Sequence, residues 1–140
     1  MLGIAGGLAV VTAVAFLLLW FHPGESSKSG VSPGGGVTVK VDQKLADQGK
    51  QLADSNGCTS CHTIDGAPGL GPTWKGSFGT EVELQSGKKL RVNDAYLQES
   101  IDDPGAEVRK GFSPSMPSFK DKLSATDTGA LVEYIKSLSG

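Results

Sequence analysis

The strongest signal in the hydropathy pattern is an apolar run from Leu2 to Phe21, made mostly of Leu, Val, Ala and Gly and free of charged side chains. At a rise of about 1.5 Å per residue, a helix of this length crosses a hydrocarbon layer of roughly 30 Å. Trp20, Phe21 and His22 close the run as an interfacial belt, and Pro23-Gly24 ends it. Residues 1–22 therefore predict a single transmembrane helix. A cleaved signal peptide is the competing reading. The run is long for one, no basic segment precedes it, and Ala13-Val14-Ala15, which resembles a cleavage site, lies inside it. Gly3 and Gly7 form a G-x-x-x-G, a spacing that ordinary use of glycine in membrane helices already explains.

Residues 23–43 read as a tether, with Ser26, Ser27, Ser29 and Ser32 followed by Pro33-Gly34-Gly35-Gly36. A flexible chain of about 20 such residues reaches roughly 25 Å. Val37 to Val41 alternates with Thr38 and Lys40 and reads as extended linker. The character then changes, and residues 44–140 predict one folded domain. Leu45, Gly49, Leu52 and Ala53 fall at helical spacing in a first amphipathic helix that stops near Asn56-Gly57. Gly66 to Gly79 is loop. Glu81 to Leu84 and Lys89 to Val92 alternate around Ser86-Gly87, which predicts a small hairpin. Asn93 caps a short helix through Ile101, and Pro104-Gly105 ends it. Residues 103–122 are a second long loop. Ser124 with Asp127 forms a capping box for a last helix whose apolar stripe is Leu131, Tyr134, Ile135 and Leu138. The expectation is an all-α domain of three to four short helices, with a β-hairpin insert and long loops.

Composition sharpens the picture at two points. Aromatics are 6% of the residues, too few to fill the interior of a domain of about 100 residues with ease. Loops this long in a compact domain also need a reason. A buried cofactor meets both needs, because it brings its own apolar surface. Charge is uninformative by comparison. The segment from Asp42 to Gly140 has 14 acidic and 11 basic residues, a net of −3. Lys88, Lys89 and Arg91 cluster, as do Arg109 and Lys110, yet Asp102 and Asp103 offset them, and the pattern reads as a mixed solvated surface. Nothing resembles a nucleic-acid stripe.

Both cysteines lie in Cys58-Thr59-Ser60-Cys61-His62, a C-x-x-C-H, the attachment signature of c-type haem. Two thiols at this spacing can add across the two vinyl groups of one porphyrin, and the histidine that follows turns its imidazole to the iron. His62 is thus the expected proximal ligand, its other ring nitrogen held by a backbone carbonyl, for which Pro72 is well placed. A thioredoxin-like dithiol would need a strand before Cys58, where a helix is predicted. A zinc site would need a fourth ligand, and the domain has no further Cys or His. The second axial ligand follows by elimination. Met1 and His22 belong to the apolar run and its border, leaving Met116 in the stiff loop Ser113-Pro114-Ser115-Met116-Pro117. Met/His ligation raises the haem potential and leaves no open iron site, which argues against catalysis.

Cys58-x-x-Cys61-His62, Gly71-Pro72 and Ser115-Met116-Pro117, in this order before an amphipathic last helix, resemble a class I cytochrome c over residues 44–138. The resemblance implies that Gly49 is the small residue at which the first and last helices cross and that Tyr134 is the aromatic meeting it. The family's bulky aromatic four residues after that glycine is replaced by Ala53. By the same resemblance Trp74 is a wall residue of the haem pocket and Tyr96 packs near a haem propionate. A closer similarity runs from Gly71 through Trp74 to Gly76, then from Asn93 to Ile101, Pro104 to Ala106, Gly111-Phe112 and Met116-Pro117. It is to the cytochrome c domain of haem–copper oxidase subunit II and to the monohaem cytochrome subunit of alternative complex III. The 140 residues include no copper-binding cupredoxin domain, so a separate subunit is expected.

These readings imply one covalent haem c in a domain on the extracytoplasmic side of the cytoplasmic membrane. It would pass single electrons between redox partner proteins as a subunit of a respiratory or photosynthetic complex, with no small-molecule substrate. A haem enzyme or gas sensor with a displaceable Met116, and a thiol–disulfide oxidoreductase, are the alternatives from other classes.

Overall fold

The computed structural model describes residues 39–139. The apolar run at 1–22, with Met1, His22 and the Gly3/Gly7 pair, and the linker up to residue 38 lie outside the described residues. Among the described residues no helix is long and apolar enough to cross a membrane.

Three α-helices carry the domain: α1 (Gln43–Ser55), α2 (Asp94–Asp102) and α3 (Ala125–Ser137). A 3-10 turn at Cys58–Ser60 follows α1, and an antiparallel hairpin of β1 (Glu81–Glu83) and β2 (Lys89–Arg91) precedes α2. Local side chains start every helix. Asp42 accepts the amide of Leu45 at 3.1 Å, Asn93 accepts that of Tyr96 at 2.9 Å, and Ser124 with Asp127 forms a reciprocal capping box. At the end of α1, Asn56 donates its side-chain amide to the carbonyl of Leu52 at 2.9 Å. The domain's ordered start thus takes in Asp42 and Gln43, and the backbone amide of Asp42 also donates to Glu133 on α3 at 2.8 Å.

The core lies where α1 and α2 pack on α3. Along α1 the buried positions are Ala46, Gly49 and Ala53, while Leu45 and Leu52 are only half-buried. The expected stripe is therefore turned toward its small residues. Gly49 gives the reason: a Cβ there would stand 2.5 Å from the backbone carbon of Ala130 and 2.9 Å from Cβ of Tyr134. Backbones this close leave room only for small side chains on the centre line, so the leucines move to the flanks. Tyr134 lies at the crossing, as the resemblance implied, and Ala53 beside it is fully buried.

The two long loops are held by backbone bonds. Trp74 donates its amide to Thr63 at 2.8 Å, and Gly76 donates to Leu138 at the end of α3 at 2.9 Å. In the second loop Phe119 donates to Ile101 at 3.0 Å. The hairpin binds this second loop as well. Gln85 donates to Val108 and Lys110 to Glu83, both at 2.8 Å, and Leu84 bridges Arg109 in antiparallel fashion. This third pairing joins segments some 25 residues apart, and no local pattern announced it.

Candidate cofactor site

One cavity of about 410 Å³ is lined by the attachment turn, by α2 and α3, and by the two loops. This size is within the range of cofactor pockets. Leu97, Ile101, Leu131 and Ile135 line it while also belonging to the core or its edge. These apolar walls suit a large apolar cofactor packed against the core. All seven residues expected at the site, Cys58, Cys61, His62, Pro72, Trp74, Tyr96 and Met116, line this one cavity.

The attachment segment is shaped by its own backbone. Cys61 and His62 both donate their amides to the carbonyl of Cys58, at 3.2 and 3.0 Å, and this tight turn brings both cysteines, half-buried and unbridged, to the cavity. Burial pushes the Cys58 thiol up, against a smaller opposing effect of its backbone hydrogen bond. A dithiol oxidoreductase needs the reverse, a nucleophilic cysteine with a lowered pKa.

His62 is fixed more firmly. Nδ1 lies 2.8 Å from the carbonyl of Pro72. A carbonyl only accepts, so Nδ1 carries the proton and donates. Burial pushes the imidazole below its ordinary value, outweighing the opposing effect of that hydrogen bond. The ring is therefore neutral, and Nε2 presents a lone pair. No protein group takes that lone pair among the described residues, yet no buried side-chain nitrogen or oxygen there is left without a partner, so Nε2 is accessible. Trp74 stacks on the imidazole with ring centroids 5.1 Å apart and 17° between planes, and Tyr134 meets the indole edge-on at 6.0 Å. The ring is thus held in its plane by a hydrogen bond and in its tilt by an aromatic face.

Gly71 completes the cradle. A Cβ on it would stand 2.5 Å from Cε1 and 2.8 Å from Nδ1 of His62. Gly71→Ala is expected to push the imidazole out of its plane and cost about 1–3 kcal/mol in overpacking. Electron paramagnetic resonance of the oxidised holoprotein, which reads axial-ligand orientation, should show altered g-values. An unchanged spectrum would mean that this contact does not hold the ring.

Tyr96 is half-buried on α2, its hydroxyl 3.5 Å from the carbonyl of Glu107, too long for a strong bond. Met116 is half-buried in its proline-flanked loop and packs against the core. The donor set suits haem: two thiols, one neutral imidazole with a free nitrogen, one thioether and apolar walls. Among the described residues no group of three or more His, Cys, Asp or Glu could hold a bare metal ion.

Sequence reasoning left two features of this site unread. Arg109, grouped with Lys110 as surface charge, lines the cavity, and the stacking of Trp74 on His62 was not anticipated beyond its place in the wall. The remaining basic residues of the group behave as a mixed surface. Lys88 pairs with Glu107, Lys110 with Glu83 and Lys89 with Glu81.

A fold of three helices, the first and last crossing at a glycine, with long loops around one cavity lined by a C-x-x-C-H, defines a class I c-type haem protein. The cytochrome c family model matches residues 46–139, and the chain belongs to that family. Its haem is the covalently attached haem c. The chain is also 33% identical over 107 residues to a cytochrome c oxidase subunit 2 of Alkalihalophilus pseudofirmus. The match covers 74% of this chain but 29% of that protein, so the chain spans less than a third of the relative.

Proposed function

We propose that this chain is a membrane-tethered carrier of single electrons, with His62 and Met116 as the axial ligands of its haem. The observation that carries the reading is the convergence on one cavity of a neutral, Pro72-held imidazole and the only thioether among the described residues, beside both attachment thiols. Bound haem supplies one-electron exchange at its iron, at a potential raised by thioether ligation. Cys58 and Cys61 tether it, so it is not lost in either oxidation state. With haem bound, His62 would offer Nε2 and Met116 its thioether to the iron, while Leu97, Ile101, Leu131 and Ile135 would exclude water. Ligation of the iron by both residues would leave it no open position for a substrate.

The apolar run at residues 2–21 supports a membrane anchor. Since haem is attached to such motifs after export, the domain belongs on the extracytoplasmic face. Similarity to a protein named cytochrome c oxidase subunit 2 supports a place among the subunits of an electron-transfer complex.

Absorption spectroscopy of the detergent-solubilised holoprotein tests the reading. A low-spin c-type spectrum with a thioether–iron charge-transfer band when oxidised, and no rapid CO binding when reduced, is the expected result. A high-spin spectrum with prompt CO binding would replace it with a gas-binding or catalytic function. Recovery of the protein in washed membranes tests the anchor.

A further inference from the structure

Arg109 occupies an unusual position for a residue flanked by ordinary surface charge. Its place follows from the isolated bridge between Leu84 and Arg109. Residues directly opposite in an antiparallel pair share a face. Leu84 is 1% exposed, so the side chain of Arg109 is sent to the inner side, while its neighbour Lys110 is exposed and pairs with Glu83 at 2.7 Å. Arg109 is half-buried, lines the cavity and lies over the ring of Phe112 at 5.8 Å. Among the described residues it has no carboxylate partner. The two acids nearest in register are already engaged, Glu83 by Lys110 and Glu107 by Lys88, the latter also at 2.7 Å.

A guanidinium drawn partly out of water without an anion carries a desolvation cost that only a paired charge offsets. Haem brings two carboxylates into the cavity, and the planar fork of arginine suits a carboxylate in two-point contact. We propose that Arg109 is the residue that binds a haem carboxylate, orienting the cofactor from the second loop and placing a fixed positive charge beside the redox centre. The inference rests on haem c occupying this cavity and is independent of the carrier reading. Prompt CO binding would defeat that reading and leave the Arg109 contact untouched.

The sign of the effect follows from charge. A cation beside the centre disfavours the oxidised form, which carries one more positive charge, so its removal should lower the potential. The test is spectroelectrochemistry of the holoprotein and of Arg109→Gln, Arg109→Lys and Lys110→Gln, at low and high salt. Pyridine haemochrome analysis should first show that each variant keeps its covalent haem. Arg109→Gln is expected to weaken the reduced form about threefold, roughly 30 mV at 59 mV per tenfold change. Arg109→Lys should restore most of that, because it keeps the charge. The Arg109→Gln shift should persist in salt, since a half-buried pair is screened little, whereas any shift from exposed Lys110→Gln should fade. An Arg109→Gln shift that is absent, or no larger than that of Lys110→Gln and lost in salt, would overturn the proposal. A crystal structure of the holoprotein with the guanidinium turned to solvent would overturn it as well.

Discussion

Replacing Met116 with leucine should lower the reduction potential by on the order of 0.2 V, within the span of about 0.8 V that axial ligands command. It should also open the iron to CO and cyanide. The fold should survive, because Leu and Met have similar volume and such swaps cost under about 1.5 kcal/mol. Met116 is half-buried at the edge of the core, so its loss leaves no large void. The two effects separate the ligand from mere packing. A filler methionine would move stability a little and the potential hardly at all. Potentiometry together with CO titration decides it, and a variant unchanged in both would show that another residue closes the iron.

The second large effect is expected at Gly49, where two tendencies oppose each other. In an exposed helix interior, Gly→Ala stabilises by about 1 kcal/mol through helix propensity. Here the added Cβ would stand 2.5 Å from the backbone carbon of Ala130, and even closer to the carbonyl oxygen it carries. Backbone cannot swing aside as a side-chain tip can. The helices must separate, and overpacking of this kind costs about 1–3 kcal/mol or more. The clash should win, leaving Gly49→Ala less stable by roughly 2 kcal/mol, a large fraction of a typical 5–15 kcal/mol total. Urea denaturation of the holoprotein measures it. A more stable variant would mean that propensity, and not the crossing, governs this position.

Both predictions fall on residues that the chain alone had singled out, yet their grounds differ. Met116 was reached by elimination among four residues able to ligate iron strongly, a chemical deduction that needs no coordinates. Gly49 was assigned by resemblance, and the distances to Ala130 and Tyr134 now give the physical cause. Those distances also account for the shift of the buried face of α1. Hydropathy places Leu45 and Leu52 in the stripe with Gly49 and Ala53, but the tight crossing at Gly49 buries the small residues, Ala46 among them, and leaves both leucines half-buried. Periodicity sees how apolar a residue is and is blind to how near the opposite backbone lies.

What the amino-acid sequence determined by itself is whatever depends on neighbours a few residues apart. The caps at Asp42, Asn93 and Ser124, the hairpin around Ser86-Gly87, and the attachment motif from Cys58 to His62 are all of this kind, because their hydrogen bonds and bonding geometry close within one turn of chain. Tertiary structure alone decided what depends on distant strands and loops. The bridge from Leu84 to Arg109 turns a charge toward the cavity, and the meeting of Trp74 with His62 fixes an imidazole that is also tied to Pro72. Side-chain direction at such points is set by the partner's backbone, and which partner arrives is a property of the whole packed domain.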